Sequence, residues 1–327
     1  MRILVTGGAG FIGSHLADAF IASGHEVVVV DNLATGRREN LNPDARFYEA
    51  DIRDATAVAD LFARERPDVL CHQAAQLDVR RSVAEPAYDA DVNVVGTLRL
   101  LQAGVEHGLK KVVFASSGGA IYGGATVLPT PEGYPARPIS PYGVAKLSVE
   151  HYLHYYHTVH GLPYVALRYA NVYGPRQNAQ GEAGVIAIFS ERLLRGAPAT
   201  IYGDGRNTRD YVFVADVVDA NRQALATERV GAYNVGTGVE TTVNEVFDKL
   251  NRLTEAGARE RHGEAKAGEE RRSCLDAALA ARDLGWQPRV DLDEGLVRTV
   301  EYFADALGQA TNERRATDAA PDAGRAG

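Results

Sequence analysis

Cysteine is scarce: Cys71 and Cys274 are the only two among 327 residues. They stand far apart, outside any Cys-x-x-Cys pair or Cys/His cluster, which excludes a disulfide framework and a structural zinc site. Both are read as buried thiols, and no metal centre is expected. Lysine is rarer than its basic partner, five residues against thirty arginines, and with 43 acidic residues the formal net charge is -8. The arginines are scattered rather than clustered, so neither nucleic acid nor an anionic membrane surface is expected as the main partner. Local arginine sites for phosphate stay open. The chain also lacks a charged leader followed by an apolar core and lacks any apolar run of about 18 residues, which excludes a spanning helix and makes the cytoplasm the expected compartment.

What the chain does contain is 45% hydrophobic residues, enough for one large or two fused domains. Short β-branched runs at Ile3 to Thr6, Glu26 to Val30, Arg46 to Glu49, Asp68 to His72, Lys111 to Ala115 and Tyr164 to Tyr169 alternate with helical patterns such as Phe11, Ile12, His15, Leu16, Ala19 and Phe20. This alternation predicts an α/β fold, a doubly wound (Rossmann) parallel sheet with helices on both faces. After about residue 175 glycine and proline punctuation increases, which predicts a smaller mixed α/β lobe over the carboxyl edge of the sheet. The expected division is 1-175 for the sheet domain, with a segment near 210-240 returning to it, 176-307 for the lobe, and a disordered tail over 308-327, where no large apolar residue occurs. No repeat of 20 to 50 residues is found.

The stretch RILVTGGAGFIGSHLADAF places Gly7, Gly10 and Gly13 directly after the first strand and at the start of a helix. One glycine permits the tight turn, one the approach of a pyrophosphate to the backbone, and one the close packing of helix on strand, with the helix N-terminus facing the anion. Asp31 follows the second strand, where a carboxylate accepts hydrogen bonds from an adenosine ribose and repels a 2'-phosphate, favouring NAD. Arg37 and Arg38 in the next loop keep NADP open. Asp51, closing the third strand, is placed to edge the adenine or to sit in a solvated loop.

Of fifteen tyrosines, one has a lysine four residues on. With five lysines in the chain, chance gives about 0.2 such pairs, so SPYGVAK, Ser140 to Lys146, is a signal. Ser140 reads as a helix N-cap and Pro141 as the first helical residue, which puts Tyr142 and Lys146 on one face a turn apart. A nearby ammonium is expected to lower the phenol's pKa toward the working pH and make Tyr142 a usable base. Ser116 and Ser117 end the fifth strand and offer the hydroxyl such a site needs. Serine, tyrosine and lysine beside a nicotinamide can take the proton of a sugar alcohol while its carbon gives up hydride. The His/Tyr comb EHYLHYYHTVHG, Glu150 to Gly161, continues this helix with aromatic packing and is not read as a metal site.

At TGGAGFIG, DNL, ADIRD, HQAA, DVNVVGT, FASSGGAIYG, YGVAK and RYANVYGPRQ the chain resembles the extended short-chain dehydrogenase/reductase superfamily, in particular its NAD-dependent epimerase/dehydratase group, and within that the UDP-hexose 4-epimerases. The resemblance covers residues 1 to about 305. It implies a tightly bound NAD that is recycled in the site, a UDP-sugar substrate and a homodimer through the Tyr142 helix and its neighbour. It implies that Tyr142 is the catalytic acid/base, that Lys146 binds the nicotinamide ribose and tunes Tyr142, and that Ser117 holds the reacting hydroxyl. Phe11, Ile12, Asn32, Ile52, Gln76, Asn93, Ser116 and Tyr169 fall at cofactor-side positions. Asn171, the Thr200, Ile201 and Tyr202 stretch, and Arg209 fall where the group meets the nucleotide and diphosphate. One arginine common in the group is replaced here by Lys266, so either Lys266 or Arg271 is expected to hold the diphosphate. Ser273 falls beside the sugar's C2 substituent, and its small size predicts turnover of N-acetylated substrates as well as UDP-glucose and UDP-galactose. Dehydratases and decarboxylases of the group carry a carboxylate just before Val-Tyr-Gly, where this chain has GGAIYG, so simple C4 inversion is expected. A UDP-glucuronate epimerase or decarboxylase, another dehydratase or reductase, and a non-catalytic NAD sensor are the alternatives.

Overall fold

The computed structural model describes residues 1–180, 184–265 and 270–318, with side chains to residue 308. Its centre is a seven-stranded, wholly parallel sheet built from β1 (Arg2–Thr6), β2 (Glu26–Asp31), β3 (Arg46–Glu49), β4 (Val69–His72), β5 (Lys111–Ser117), β6 (Tyr164–Tyr169) and a last strand, Gly231–Val235. In space the order is Gly231–Val235, β6, β5, β4, β1, β2, β3. The inner strands are buried on both faces, as the runs EVVVVD and KVVFASS require, while the edge strand β3 is half-exposed. The chain starts in the middle at β1, moves outward to β3, then crosses back to β4, so the order reverses between β1 and β4. That reversal opens a crevice at the carboxyl ends of the strands.

One face of the sheet packs on helices Phe11–Ala22 and Val214–Ala226, around Val5, Leu16, Phe20, Val165 and Val217. The other packs on Ala55–Glu65, Thr97–Glu106 and Pro141–His160, around Leu4, Phe62, Leu100, Phe114 and Leu153. A separate core of Phe189, Ile201, Phe213, Phe247 and Leu296 holds the smaller lobe, formed by helices Val185–Leu194, Val243–Leu253 and the start of Leu292–Asp318. The strand Asn171–Tyr173 joins the two by pairing in parallel with Tyr211–Phe213.

Two segments differ from the sequence reading. Ala278–Leu284 and Trp286, expected in the lobe, pack into the sheet's core, where the buried Trp286 indole donates to the Asp216 carbonyl at 2.9 Å. The expected tail begins as helix, since the closing helix runs to Asp318. Its run TNERRATD keeps Glu, two Arg and Ala at its centre and meets no proline before Pro321, so low hydrophobicity alone did not end it. Residues 319–327 lie outside the described residues.

Candidate active site

The phosphate loop is assembled from glycine geometry. Gly7 has φ +68 and its N–H donates to Val30 O at 2.8 Å, bending the chain sharply off β1. A Cβ on Gly13 would meet Gly7 O at 2.1 Å, so the helix Phe11–Ala22 lies directly on the turn. Gly10 is its N-cap and supplies no side-chain cap, which leaves the first-turn N–H groups facing the crevice. A Cβ there would approach nothing except Gly7 O, at 3.1 Å, so the position is open on the side a pyrophosphate would approach.

Asp31 is the last residue of β2 and is buried; its carboxylate accepts from Ala9 N at 3.0 Å and Leu33 N at 2.8 Å. Burial raises its pKa against those two hydrogen bonds. Asp51 is held by the Arg53 guanidinium and by Asn32 Nδ2, at 2.9 Å, and the Arg53 hydrogen bonds draw its pKa down to about 2. Ile52 is buried under Gly96. Arg37 and Arg38 pair with Glu39 and Glu49, so both cations already face carboxylates. These features fit a dinucleotide: open helix N–H groups for the pyrophosphate and a buried carboxylate at the end of the second strand.

The helix Pro141–His160 starts as its sequence requires, Ser140 Oγ accepting from Gly143 N at 3.2 Å with Pro141 first in the helix. Tyr142 and Lys146 share its inner face beneath the carboxyl end of β5. Lys146 Nζ donates to Ala115 O at 2.8 Å and lies 4.8 Å from the Phe114 ring centroid and 5.7 Å from that of Tyr142. Ser117 lies close enough to the Tyr142 hydroxyl to favour its ionised form. The expected lowering of the phenol is not found: burial pushes Tyr142 up to about 12, Ser117 opposing it, and burial pulls Lys146 down to about 8. Desolvation of two groups in one dry pocket outweighs their proximity in sequence.

Ser116 turns its side chain the other way. Strand alternation turns it away from Ser117, and its buried hydroxyl donates to Glu150 on the far side of β5. Glu150 is the partner of Arg168, which reaches on to the Tyr122 hydroxyl at 2.9 Å, and Tyr122 donates to Asn234 Oδ1 at 2.8 Å. This buried network ties the tyrosine helix, β6, the Gly231–Val235 strand and the connection before the helix together. Tyr169 likewise spends its hydroxyl inward, accepting from Asn221 Nδ2 at 2.8 Å, and is buried in the core of the sheet. The Gln76 backbone pairs with the Asn93 amide, N donating to Asn93 Oδ1 and O accepting from Asn93 Nδ2, both at 2.9 Å, while its side chain donates to Asp78 O and Asp89 Oδ1 and accepts from Asp78 N.

On the lobe side, Asn171 is exposed, and a Cβ on Gly119 would lie 3.9 Å from its Oδ1, so its amide stands beside the turn that follows Ser117. Thr200–Tyr202 pairs in parallel with Arg261–Gly263, with Ile201 buried in the lobe core, Thr200 half-buried and Tyr202 exposed. The Ile201 side chain therefore serves packing, and any nucleotide contact there belongs to backbone. Arg209 is half-buried, NH1 donating to Thr208 O at 2.8 Å. Ser273 N donates to Thr208 O at 3.3 Å, and Leu275 beyond it packs on Gly118, which brings this segment alongside the site. Arg271 is exposed and paired with Asp204 at 2.9 Å. Lys266 lies outside the described residues.

Two residues that sequence reasoning missed sit behind the site. His72 at the end of β4 links Thr6 Oγ1, at 2.6 Å, to Thr97 Oγ1, at 2.8 Å. Thr97 in turn donates to Asn93 O at 2.7 Å, and Thr6 Oγ1 accepts from Ala74 N at 3.1 Å. Asp89 is buried beside Asn93, four residues earlier on the same face. His72 opens HQAA, one of the stretches that carry the resemblance, but its spacing gives it no role; for Asp89 only the i, i+4 spacing to Asn93 hinted at contact.

A doubly wound sheet with a glycine loop at its first turn, an acidic second strand end and a serine, tyrosine and lysine gathered by the fifth strand defines a dinucleotide-dependent oxidoreductase-type fold of the short-chain dehydrogenase class. Residues 3–236 match the NAD dependent epimerase/dehydratase family, and the chain belongs to that family. It is 49% identical over 309 residues to the UDP-glucose 4-epimerase of Mycolicibacterium smegmatis, covering 93% of this chain and 98% of that one. Among solved structures, the UDP-glucose 4-epimerase of Thermotoga maritima with UDP-glucose superposes with a TM-score of 0.93 at 51% identity, over 94% of this chain and 100% of that one. The Thermus thermophilus UDP-glucose 4-epimerase in complex with NAD gives a TM-score of 0.89 at 46% identity, over 94% and 100%.

Proposed function

We propose that this chain is a cytoplasmic NAD-dependent epimerase that inverts C4 of a UDP-hexose. The observation that carries the reading is the convergence of Ser117, Tyr142 and Lys146 at the carboxyl end of β5, one strand from the crevice where the glycine loop opens. Gly7, Gly10 and Gly13 with the helix N–H groups would hold the pyrophosphate of NAD, and Asp31 the adenosine ribose. NAD supplies, when bound, an acceptor for the C4 hydride and a positive ring beside the phenol. Tyr142 Oη then takes the 4-hydroxyl proton and later returns it, Ser117 Oγ orients that hydroxyl, and Lys146 Nζ provides the cation that favours the phenolate. The 4-keto sugar turns over within the pocket and no net oxidation results.

The smaller lobe binds the nucleotide end, with Asn171 and Arg209 toward the sugar diphosphate and the Thr200–Tyr202 backbone toward uracil. Arg209 is preferred over Arg271 for the diphosphate, because Arg271 is exposed and committed to Asp204. Gly118, Gly119 and Ala120 follow Ser117 where an eliminating enzyme needs a carboxylate, which favours epimerisation over dehydration. The small Ser273 leaves room for an acetamido group, so UDP-N-acetylglucosamine is included as a substrate. A second copy covers the outer face of the Pro141–His160 helix, where Tyr152, Tyr155 and Val95 are exposed around a groove of about 460 Å³.

Purified protein incubated with UDP-galactose and no added reductant tests the reading: UDP-glucose should accumulate to equilibrium without NADH release. Decarboxylation of UDP-glucuronate or formation of a stable 4-keto-6-deoxy sugar instead would overturn it.

A further inference from the structure

We propose that Asp89 is a positioning residue: an ionised carboxylate that acts through Lys146, holding its side chain charged beside Tyr142 while fastening the loop after β4. Asp89 is 1% exposed. Its Oδ1 accepts from Gln76 Nε2 and from Asn93 Nδ2, both at 2.9 Å. Its Oδ2 is buried and has no hydrogen-bond partner. Burying a carboxylate oxygen without a donor is costly unless a cation lies near. The short helix Pro86–Ala90 that carries Asp89 packs on Pro141–His160, and a cavity of about 550 Å³ is walled by Asp89 from one helix and Val144, Ala145 and Ser148 from the other. Burial raises the Asp89 carboxyl pKa, and the Gln76 hydrogen bond, the charge of Lys146 on that helix and the Asn93 hydrogen bond oppose the rise.

The titratable groups coupled to the Lys146–Tyr142 pair come from three directions. His72 on β4 senses Lys146 but is held neutral, since burial takes its pKa down to about 3. Tyr142 is on the same helix and is pushed up to about 12 by burial, a rise to which Asp89 adds. Asp89 is the anion of the set, and it lifts Lys146 against the desolvation that draws it down to about 8. Glu150, further along the helix, is spent on Arg168. Asp89 therefore favours a charged Lys146 and a protonated Tyr142 before substrate arrives, and its Oδ1 keeps Gln76 and Asn93 against the wall where Ala74 meets Gly7.

The chemical consequence rests on the proposed function, but the test does not. With five lysines in the chain, protein carrying [13Cε]lysine gives few enough signals to follow each through a pH titration, and Lys146→Met assigns the one in question. Asp89→Asn keeps an oxygen for Gln76 and Asn93 and removes the charge. The Lys146 midpoint should fall by on the order of one pH unit in Asp89→Asn, and the pH profile of kcat should move to lower pH with it. A midpoint that stays in place overturns the proposal, even if turnover falls, because a merely structural role would cost rate without moving the titration. Should Asp89→Asn fail to fold, linkage supplies the reciprocal measurement: in Lys146→Met the 13C-labelled carboxyl of Asp89 should titrate at higher pH, and an unchanged carboxyl overturns the proposal. Loss of C4 inversion as the activity would leave the lysine titration standing, so the two ideas fail separately.

Discussion

Tyr142 carries the chemistry through one oxygen, so Tyr142→Phe separates the proton relay from everything else the ring does. Its loss should lower kcat for UDP-galactose by about 10²- to 10⁴-fold, with the NAD content of the purified protein unchanged; a coupled assay and the absorbance of released dinucleotide read both. The Ser116 and Ser117 pair shows how fine the residue scale is. Adjacent strand positions face opposite sides, and one hydroxyl lies on Tyr142 while its neighbour lies on Glu150. Ser117→Ala should therefore reduce kcat with little effect on stability, whereas Ser116→Ala should lower the unfolding free energy by about 1–3 kcal/mol through the lost partner of a buried carboxylate. Denaturant melts beside initial rates distinguish them. Substrate breadth also belongs here: Ser273→Tyr should cut the rate on UDP-N-acetylglucosamine more than the rate on UDP-glucose, read as the ratio of the two kcat/KM values.

At the scale of elements, two buried polar networks lock the helices to the sheet. Glu150 and Arg168 are 8% and 10% exposed, and Arg168→Leu would strand a carboxylate in the core. The expected loss is about 3–5 kcal/mol, visible in the denaturant midpoint. His72 ties β1, β4 and the helix Thr97–Glu106 through Thr6 and Thr97. Its folded pKa is depressed from 6.5 to about 3, so the unfolded chain takes up the proton first. The stability it contributes is whole above pH 6.5 and declines as the pH falls toward 3, by about 2 kcal/mol at pH 5. Urea unfolding at pH 7.5 and pH 5 should show this difference, and His72→Gln should shrink it. The glycine loop obeys the same logic of close approach. Gly13→Ala puts a methyl group 2.1 Å from Gly7 O, so the helix must shift off the turn and the purified protein should lose NAD.

At the scale of the whole molecule, the two lobes share the chain unevenly, since Gly231–Val235 and Trp286 return to the sheet after the lobe has begun. The outer helices leave Tyr152 and Tyr155 exposed, and the proposed dimer covers them. Tyr152→Glu should shift the mass measured by light scattering from dimer to monomer while far-ultraviolet circular dichroism stays the same.

The order of strands and helices, the glycine turn, the acidic end of β2 and the Tyr142–Lys146 face could all be read without coordinates. Each rests on interactions within a few residues: side-chain periodicity, a cap, a turn that only glycine completes. Long-range packing alone decided that Tyr142 sits at about 12 and Lys146 at about 8, that Ser116 and Tyr169 turn inward, and that Asp89 is buried against Gln76 and Asn93. Those outcomes depend on how much water each group loses and which charge meets it across the fold, and desolvation is a property of three-dimensional neighbours that sequence spacing does not encode.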